Sequence, residues 1–239
     1  MGSVGVEGSS RLSPHVRGHL LHFERRPTPA IPAAKLIAGA VILEVLCPTV
    51  VGPLAQFVPL LVLFPALLAL GLVFVRASGT RLLDLGLRPW RDWSPTEKSY
   101  FFQVLVIANV VFPLVLAGSI LARLEQASML RDLGTVFVPY LFFGFYQEVV
   151  YRGMLQSGLE RRLGAVFAVL VANVLFTFGP LHWNHLTSGS AMAMPMLAMI
   201  FAVGLFFGAL YQRSRNLWLP AVFHAIGNAY MVWGPGPPG

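Results

Sequence analysis

The chain has 239 residues, 56% hydrophobic and 11% charged, with a formal net charge of +7. Soluble domains carry about 25% charged residues, so this composition excludes an ordinary soluble enzyme and points to the membrane. The positive charge does not argue for a nucleic-acid partner, because it is scattered between apolar segments and no reading motif accompanies it.

Apolar segments of roughly 17–25 residues, the length that crosses a bilayer core, recur along the chain. Residues 1–32, rich in Gly, Ser, Pro and His, read as a mobile cytoplasmic tail without the apolar stretch of a cleavable signal. Residues 33–135 then hold N-terminal membrane helices expected at 33–51, 55–75 and 100–122. The first is interrupted by Glu44 and Cys47-Pro48, and Pro59 and Pro65 should bend the second. A tight junction is expected around Val51-Gly52-Pro53. The connection 76–98 mixes Leu82, Leu83, Leu85, Leu87, Trp90 and Trp93 with charges, the pattern of an amphipathic segment at the interface. Ser94-Pro95-Thr96-Glu97 is a capping box with proline at the first helical position, so the third helix should begin there.

Residues 136–233 form a second group, with helices expected at 136–158, 164–182, 191–211 and 216–233. Small residues such as Gly144, Gly153, Gly204, Gly208 and Gly227 recur in it, and small residues let membrane helices approach closely. The expected fold is therefore all-α and polytopic, with about seven transmembrane helices and a four-helix core in the C-terminal half. The closing Gly234-Pro-Gly-Pro-Pro-Gly cannot continue a helix. The single Cys47 forms no internal disulfide.

Of the 17 Lys and Arg residues, 14 fall before the first helix, at its start or in alternate connections, and only Arg123 and Arg131 face the other side. This asymmetry predicts the N-terminus inside and the C-terminus outside, as in a bacterial inner membrane protein. The same residues are placed to touch anionic lipid heads.

The most informative stretch is Tyr146-Gln147-Glu148-Val149-Val150-Tyr151-Arg152-Gly153. Glu148 and Arg152 are the only charged residues between Val136 and Leu159. A charge at mid-bilayer depth costs at least about 2.5 kcal/mol unless it is paired and faces protein or water. Their i, i+4 spacing, acid first, allows that pairing on one helix face. Phe178-Gly179-Pro180-Leu181-His182 follows at the end of the next helix. Arg213-Ser-Arg-Asn216-Leu-Trp218 leads into the last helix, which carries Phe223-His224-Ala-Ile-Gly-Asn228 with His224 and Asn228 on one face. A carboxylate and an imidazole beside one water can activate it, and an imidazole with a carboxamide can donate to an oxyanion. These parts suit amide hydrolysis.

The order and spacing of these motifs resemble the CPBP family of intramembrane proteases, which includes the CAAX-prenyl endopeptidase and bacteriocin-processing proteins. The resemblance spans about residues 136–232. It implies a glutamate-dependent endopeptidase acting on a membrane-anchored protein or peptide, with no cofactor. Carried over, His182 shares water activation, His224 and Asn228 hold the oxyanion, and Arg152 fixes the first-motif helix. A myxosortase-like member would open outward and a prenyl-CAAX-like one inward.

One position departs from the family pattern. The usual first glutamate falls on Gln147, and a neutral carboxamide cannot take a proton from water. Three accounts stand open: Glu148 serves as base with Gln147 positioning the water, the chain binds substrate without cutting it, or Gln147 is a trapping replacement. Glu44 in the first helix has no counterpart in the family pattern and reads as protonated or facing a lateral water-filled entrance.

The plainer readings are a structural Glu148–Arg152 pair, an interfacial His182 and an interhelical His224–Asn228 contact. His185 is placed in the outer loop. Glu148, His182 and His224 could formally supply three metal ligands, yet no His-Glu-x-x-His motif exists. No aspartate lies in an expected helix and no internal repeat is present, which disfavours a paired-aspartate protease and an inverted-repeat transporter. A proton- or solute-conducting protein and a non-catalytic immunity or sorting factor are the rival functions. The sequence leaves the oligomeric state open.

Overall fold

The computed structural model describes Phe23, residues 29–183, 187, 190, 191 and 193–234. Most of the expected tail, His185 and residues 235–239 lie outside the described residues. All-α architecture is shown: the described elements are helices joined by short turns. In chain order they are α1 (Ala33–Leu54), α2 (Leu60–Ala77), α3 (Pro95–Val115), α4 (Ala117–Leu124), α5 (Met129–Leu163), α6 (Ala165–Phe178), α7 (Ala193–Ser214) and α8 (Trp218–Trp233).

Among the described residues, six helical spans are long and apolar enough to cross a membrane: α1, α2, α3, α5, α7, and α6 with the turn that extends it to His182. The seventh expected crossing, α8, has 16 residues and packs against α3 and α5 in the interior. Its length gives a rise of about 24 Å, short of a 30 Å hydrocarbon core.

Two expectations about the first helices are corrected. The junction is not at Val51-Gly52-Pro53, because α1 continues through it to Leu54. Pro48 has no N–H to give to the preceding turn, and the chain passes it in a π-helical stretch, Cys47–Val51. Pro59 is the N-cap of α2 rather than a bend within it, which leaves Pro65 as the internal proline. Ile31, inside the expected tail, is buried, and Arg161 donates to its carbonyl at 2.9 Å.

The 76–98 connection also departs from a single interfacial helix. It forms two 3₁₀ turns, Leu82–Leu85 and Trp90–Asp92, with Leu85 and Trp93 buried and Trp90 exposed. Arg81 donates from its side chain to Asp84 and holds that carboxyl below the usual carboxylate range. Gly86, at φ 83°, accepts at its carbonyl from the Leu217 N–H at 3.3 Å. A side chain there would collide with the Arg215 carbonyl oxygen, 2.5 Å from a built Cβ.

The capping box at α3 forms as expected. Ser94 Oγ accepts from the Glu97 N–H at 3.2 Å, and Glu97 accepts from the Ser94 N–H at 2.8 Å. Glu97 also accepts from the Asn216 carboxamide at 3.1 Å, while Asn216 Oδ1 accepts from the Trp218 N–H at 3.1 Å. The Arg213–Trp218 motif is therefore a staple between the start of α3 and the start of α8.

α5 organises the rest. At 35 residues it would rise about 52 Å as an ideal helix, well beyond a bilayer core, and so must tilt or project from it. It contains two π-helical stretches, Leu133–Phe137 and Val149–Gln156. The second begins directly after Glu148, and every residue in it is buried. α1, α2, α6, α7 and α8 all pack around α5.

Candidate active site

Close approach of α8 to α5 creates the site. A Cβ on Gly144 would lie 2.6 Å from Ala225 Cα and 2.8 Å from its nitrogen, so only glycine allows this crossing. One turn further along α5 stand Gln147 and Glu148, both buried, and α8 presents His224 and Asn228 to them. His224 Nδ1 lies 2.6 Å from Glu148 Oε1. Asn228 Nδ2 donates to Gln147 Oε1 at 2.7 Å. Two adjacent residues of α5 are thus matched with two residues one turn apart on α8.

Arg152 donates to the same Glu148 oxygen at 2.9 Å and to the Gly204 carbonyl of α7 at 2.8 Å. Both members of this ion pair are buried. The guanidinium also lies over the Phe176 ring of α6, 4.6 Å from its centroid. One turn on, Gln156 donates to the Gly208 carbonyl at 3.1 Å. Arg152 and Gln156 therefore tie α5 to two glycine carbonyls of α7.

His182 returns to the level of the site by a break in its helix. α6 ends at Phe178, Gly179 is extended, and Pro180–His182 form a 3₁₀ turn. A straight helix would carry His182 about 1.5 Å further along for every residue. The turn instead brings its Nδ1 within 2.6 Å of the Phe176 carbonyl. A carbonyl only accepts, so Nδ1 carries the hydrogen and Nε2 of the neutral ring is the basic nitrogen.

Phe176 is the hub on which these groups meet. Its ring makes edge contacts with His182 at 5.1 Å, His224 at 5.5 Å and Tyr151 at 5.0 Å. His224 is also stacked on Phe207 at 5.1 Å. The phenylalanine that positions His182 is Phe176, whereas the motif residue Phe178 is exposed and packs near Phe201. The sequence motifs assign no site role to Tyr151, Phe176, Phe207 or Gly204. Aromatic residues at these spacings are indistinguishable from ordinary membrane packing.

The other Glu148 oxygen, Oε2, is buried and accepts no hydrogen bond among the described residues. A carboxylate has lone pairs for several donors, so this atom can accept one more. Among the described residues, no group of three His, Cys, Asp or Glu side chains is arranged to hold a metal ion.

Residues 129–230 match the family model described as type II CAAX prenyl endopeptidase Rce1-like. This match supports membership of the CPBP family for the C-terminal half of the chain. The matched region begins with α5 and ends two residues beyond Asn228, so it holds every motif of the site, while α1, α2, α3 and α4 lie outside it. The match points to the general class of a CAAX-type protease, and with the apolar helices it supports an integral membrane protein. No curated protein and no solved structure matches the chain.

Proposed function

We propose that this chain is an intramembrane endopeptidase that hydrolyses a peptide bond in a membrane-anchored protein. The observation that carries the reading is the 2.6 Å contact between Glu148 and His224, buried and held by Arg152.

Glu148 accepts from His224 Nδ1, which leaves His224 Nε2 as the nitrogen that takes a proton from water. The carboxylate orients the imidazole and stabilises the imidazolium as it forms, as the acidic member of a catalytic triad does. The hydroxide adds to the carbonyl carbon of the scissile bond. The imidazolium then returns the proton to the departing amine. His182, with its basic Nε2, orients the attacking water.

Gln147 and Asn228 form the oxyanion side. Asn228 donates to the Gln147 carbonyl oxygen, so the Gln147 amide keeps two N–H donors for the developing oxyanion. Gln147 becomes a donor instead of a missing base, and this assigns the water-activating role to the neighbouring pair. In that respect the reading differs from a direct carry-over of family roles, which placed His224 with Asn228 at the oxyanion. The positive-inside pattern supports an N-terminus inside and a C-terminus outside in a bacterial inner membrane.

The experiment uses purified protein in bilayer nanodiscs with a fluorogenic, lipid-anchored peptide library. Wild type should cleave a member of it, and Glu148→Gln and His224→Gln should each lose at least about a hundredfold in kcat while remaining folded. Full turnover by both variants would overturn the assignment. A folded wild type that binds library members with none cleaved would favour a non-catalytic binding factor.

A further inference from the structure

Glu44 is a second intramembrane carboxylate, contributed by α1 from outside the matched region. Its hydrogen-bond partners differ from those of Glu148. One oxygen accepts from the Tyr151 hydroxyl and the other from the Leu181 N–H at 3.3 Å. Leu181 is the middle residue of the turn that ends in His182. Tyr151 lies between Val150 and Arg152 in the π-helical stretch and packs edge-on against Phe176.

The same carboxylate thus grips the two elements on either side of Phe176. Its anchor on α1 is itself fixed, since the Tyr146 hydroxyl donates to the Leu43 carbonyl at 3.1 Å. Gly179 leaves room for the grip: a Cβ there would lie 2.9 Å from Glu44 Oε1. An uncompensated carboxylate inside a membrane helix is costly, so two donors that satisfy both oxygens give this residue a specific place.

We propose that Glu44 is a positioning residue that holds the Pro180–His182 turn, and with it the His182 Nδ1–H bond to Phe176, in the geometry the reaction needs. Its effect on turnover rests on the peptidase reading above, but its effect on the His182 ring does not. Helix α1 is on this account part of the working site. The groove between α1, α5 and α6, about 190 Å³ and lined by Val41, Glu44, Val150, Tyr151, Leu175 and Pro180, lies at the same junction.

The test combines histidine ¹⁵N NMR of the full chain in nanodiscs with turnover measurements. The His182 signal is assigned by its loss in His182→Gln. Wild type should show the Nδ1–H tautomer. Glu44→Ala should convert it to a mixture of tautomers and lower kcat roughly ten- to a hundredfold, with KM within about twofold, since small misplacements cost that much. Glu44→Gln, which keeps one acceptor oxygen, should show a smaller change of the same kind, about three- to tenfold in kcat. If Glu44→Ala does not fold, Glu44→Gln decides the question. A folded variant with an unchanged His182 tautomer overturns the proposal. A protein in which wild type cleaves nothing while the tautomer still shifts refutes the peptidase reading and leaves the positioning role standing.

Discussion

Glu148 and His224 stand 76 residues apart in sequence and share a 2.6 Å contact across the α5–α8 crossing. The contact exists because Gly144 and Ala225 let the two backbones meet one turn away. Arg152 completes the arrangement from the next turn of α5, and Gly204 of α7 receives its other nitrogen. Three helices, α5, α7 and α8, thus contribute to one buried polar cluster, and α6 covers it with the Phe176 ring.

Arg152→Ala should act chiefly on folding. It leaves Glu148 buried with one fewer partner and the Gly204 carbonyl without its donor. Loss of one member of a buried ion pair costs about 3–5 kcal/mol. Folded yield after detergent extraction, and the melting temperature of what remains, should fall sharply. Arg152→Lys should recover part of the loss, because an ammonium can reach one partner but lacks the fork that reaches two. Normal yield with selective loss of turnover would move Arg152 to a substrate-binding role.

The helix crossing makes a second prediction. Gly144→Leu would push a side chain into Ala225 backbone atoms, which cannot rotate away. The helices must separate, at a cost of about 1–3 kcal/mol or more for an overpacked site. The variant should melt earlier and should also lengthen the Glu148–His224 contact. A paired-cysteine cross-link between α5 and α8 formed more slowly than in wild type would report that separation. An unchanged cross-linking rate would mean that the crossing is not set by Gly144.

The Asn216 staple can be checked independently of chemistry. Asn216 is fully buried and serves both Glu97 and the Trp218 N–H. Asn216→Ala leaves buried groups at the starts of α3 and α8 short of a partner, at about 1–3 kcal/mol. Thermal stability should drop while the KM for any cleaved peptide stays unchanged. A large KM effect with full stability would place this turn in substrate binding.

Local rules made some of this legible in the sequence and left other parts hidden. The Ser94 capping box and the Glu148–Arg152 pair follow from spacing alone, because each is completed within one turn. The resemblance names Gln147, His182, His224 and Asn228 and groups His224 with Asn228 at the oxyanion, whereas in the structure His224 meets Glu148 and Asn228 meets Gln147. Whether Glu148 meets His224 or His182 depends on how α8 crosses α5, a tertiary fact set by Gly144. The π-helical stretch after Glu148 has no composition of its own, being built from packing against α1, α6 and α7. The return of His182 had a readable signal in Gly179-Pro180, a helix stop just before the histidine. Glu44 could be seen as an intramembrane charge, but its partners, Tyr151 and Leu181, lie more than 100 residues away.

Gln147 offers the sharpest prediction, because the open accounts of it give opposite signs. Its carbonyl oxygen is occupied by Asn228, and its amide nitrogen is the donor assigned to the oxyanion. Gln147→Glu removes those N–H donors and places a second carboxylate beside Glu148. If Gln147 is an oxyanion donor, turnover should fall by about 10²–10³, the usual cost of losing such a group. Gln147→Ala should fall by a similar factor, and both variants should remain folded. If Gln147 instead marks a lost base, Gln147→Glu should raise or restore hydrolysis, and Glu148→Gln should act chiefly on folding, because Glu148 is the buried partner of Arg152. Measuring kcat for Gln147→Glu and Glu148→Gln side by side separates the two, since no single assignment predicts a rise in the first and a collapse in the second.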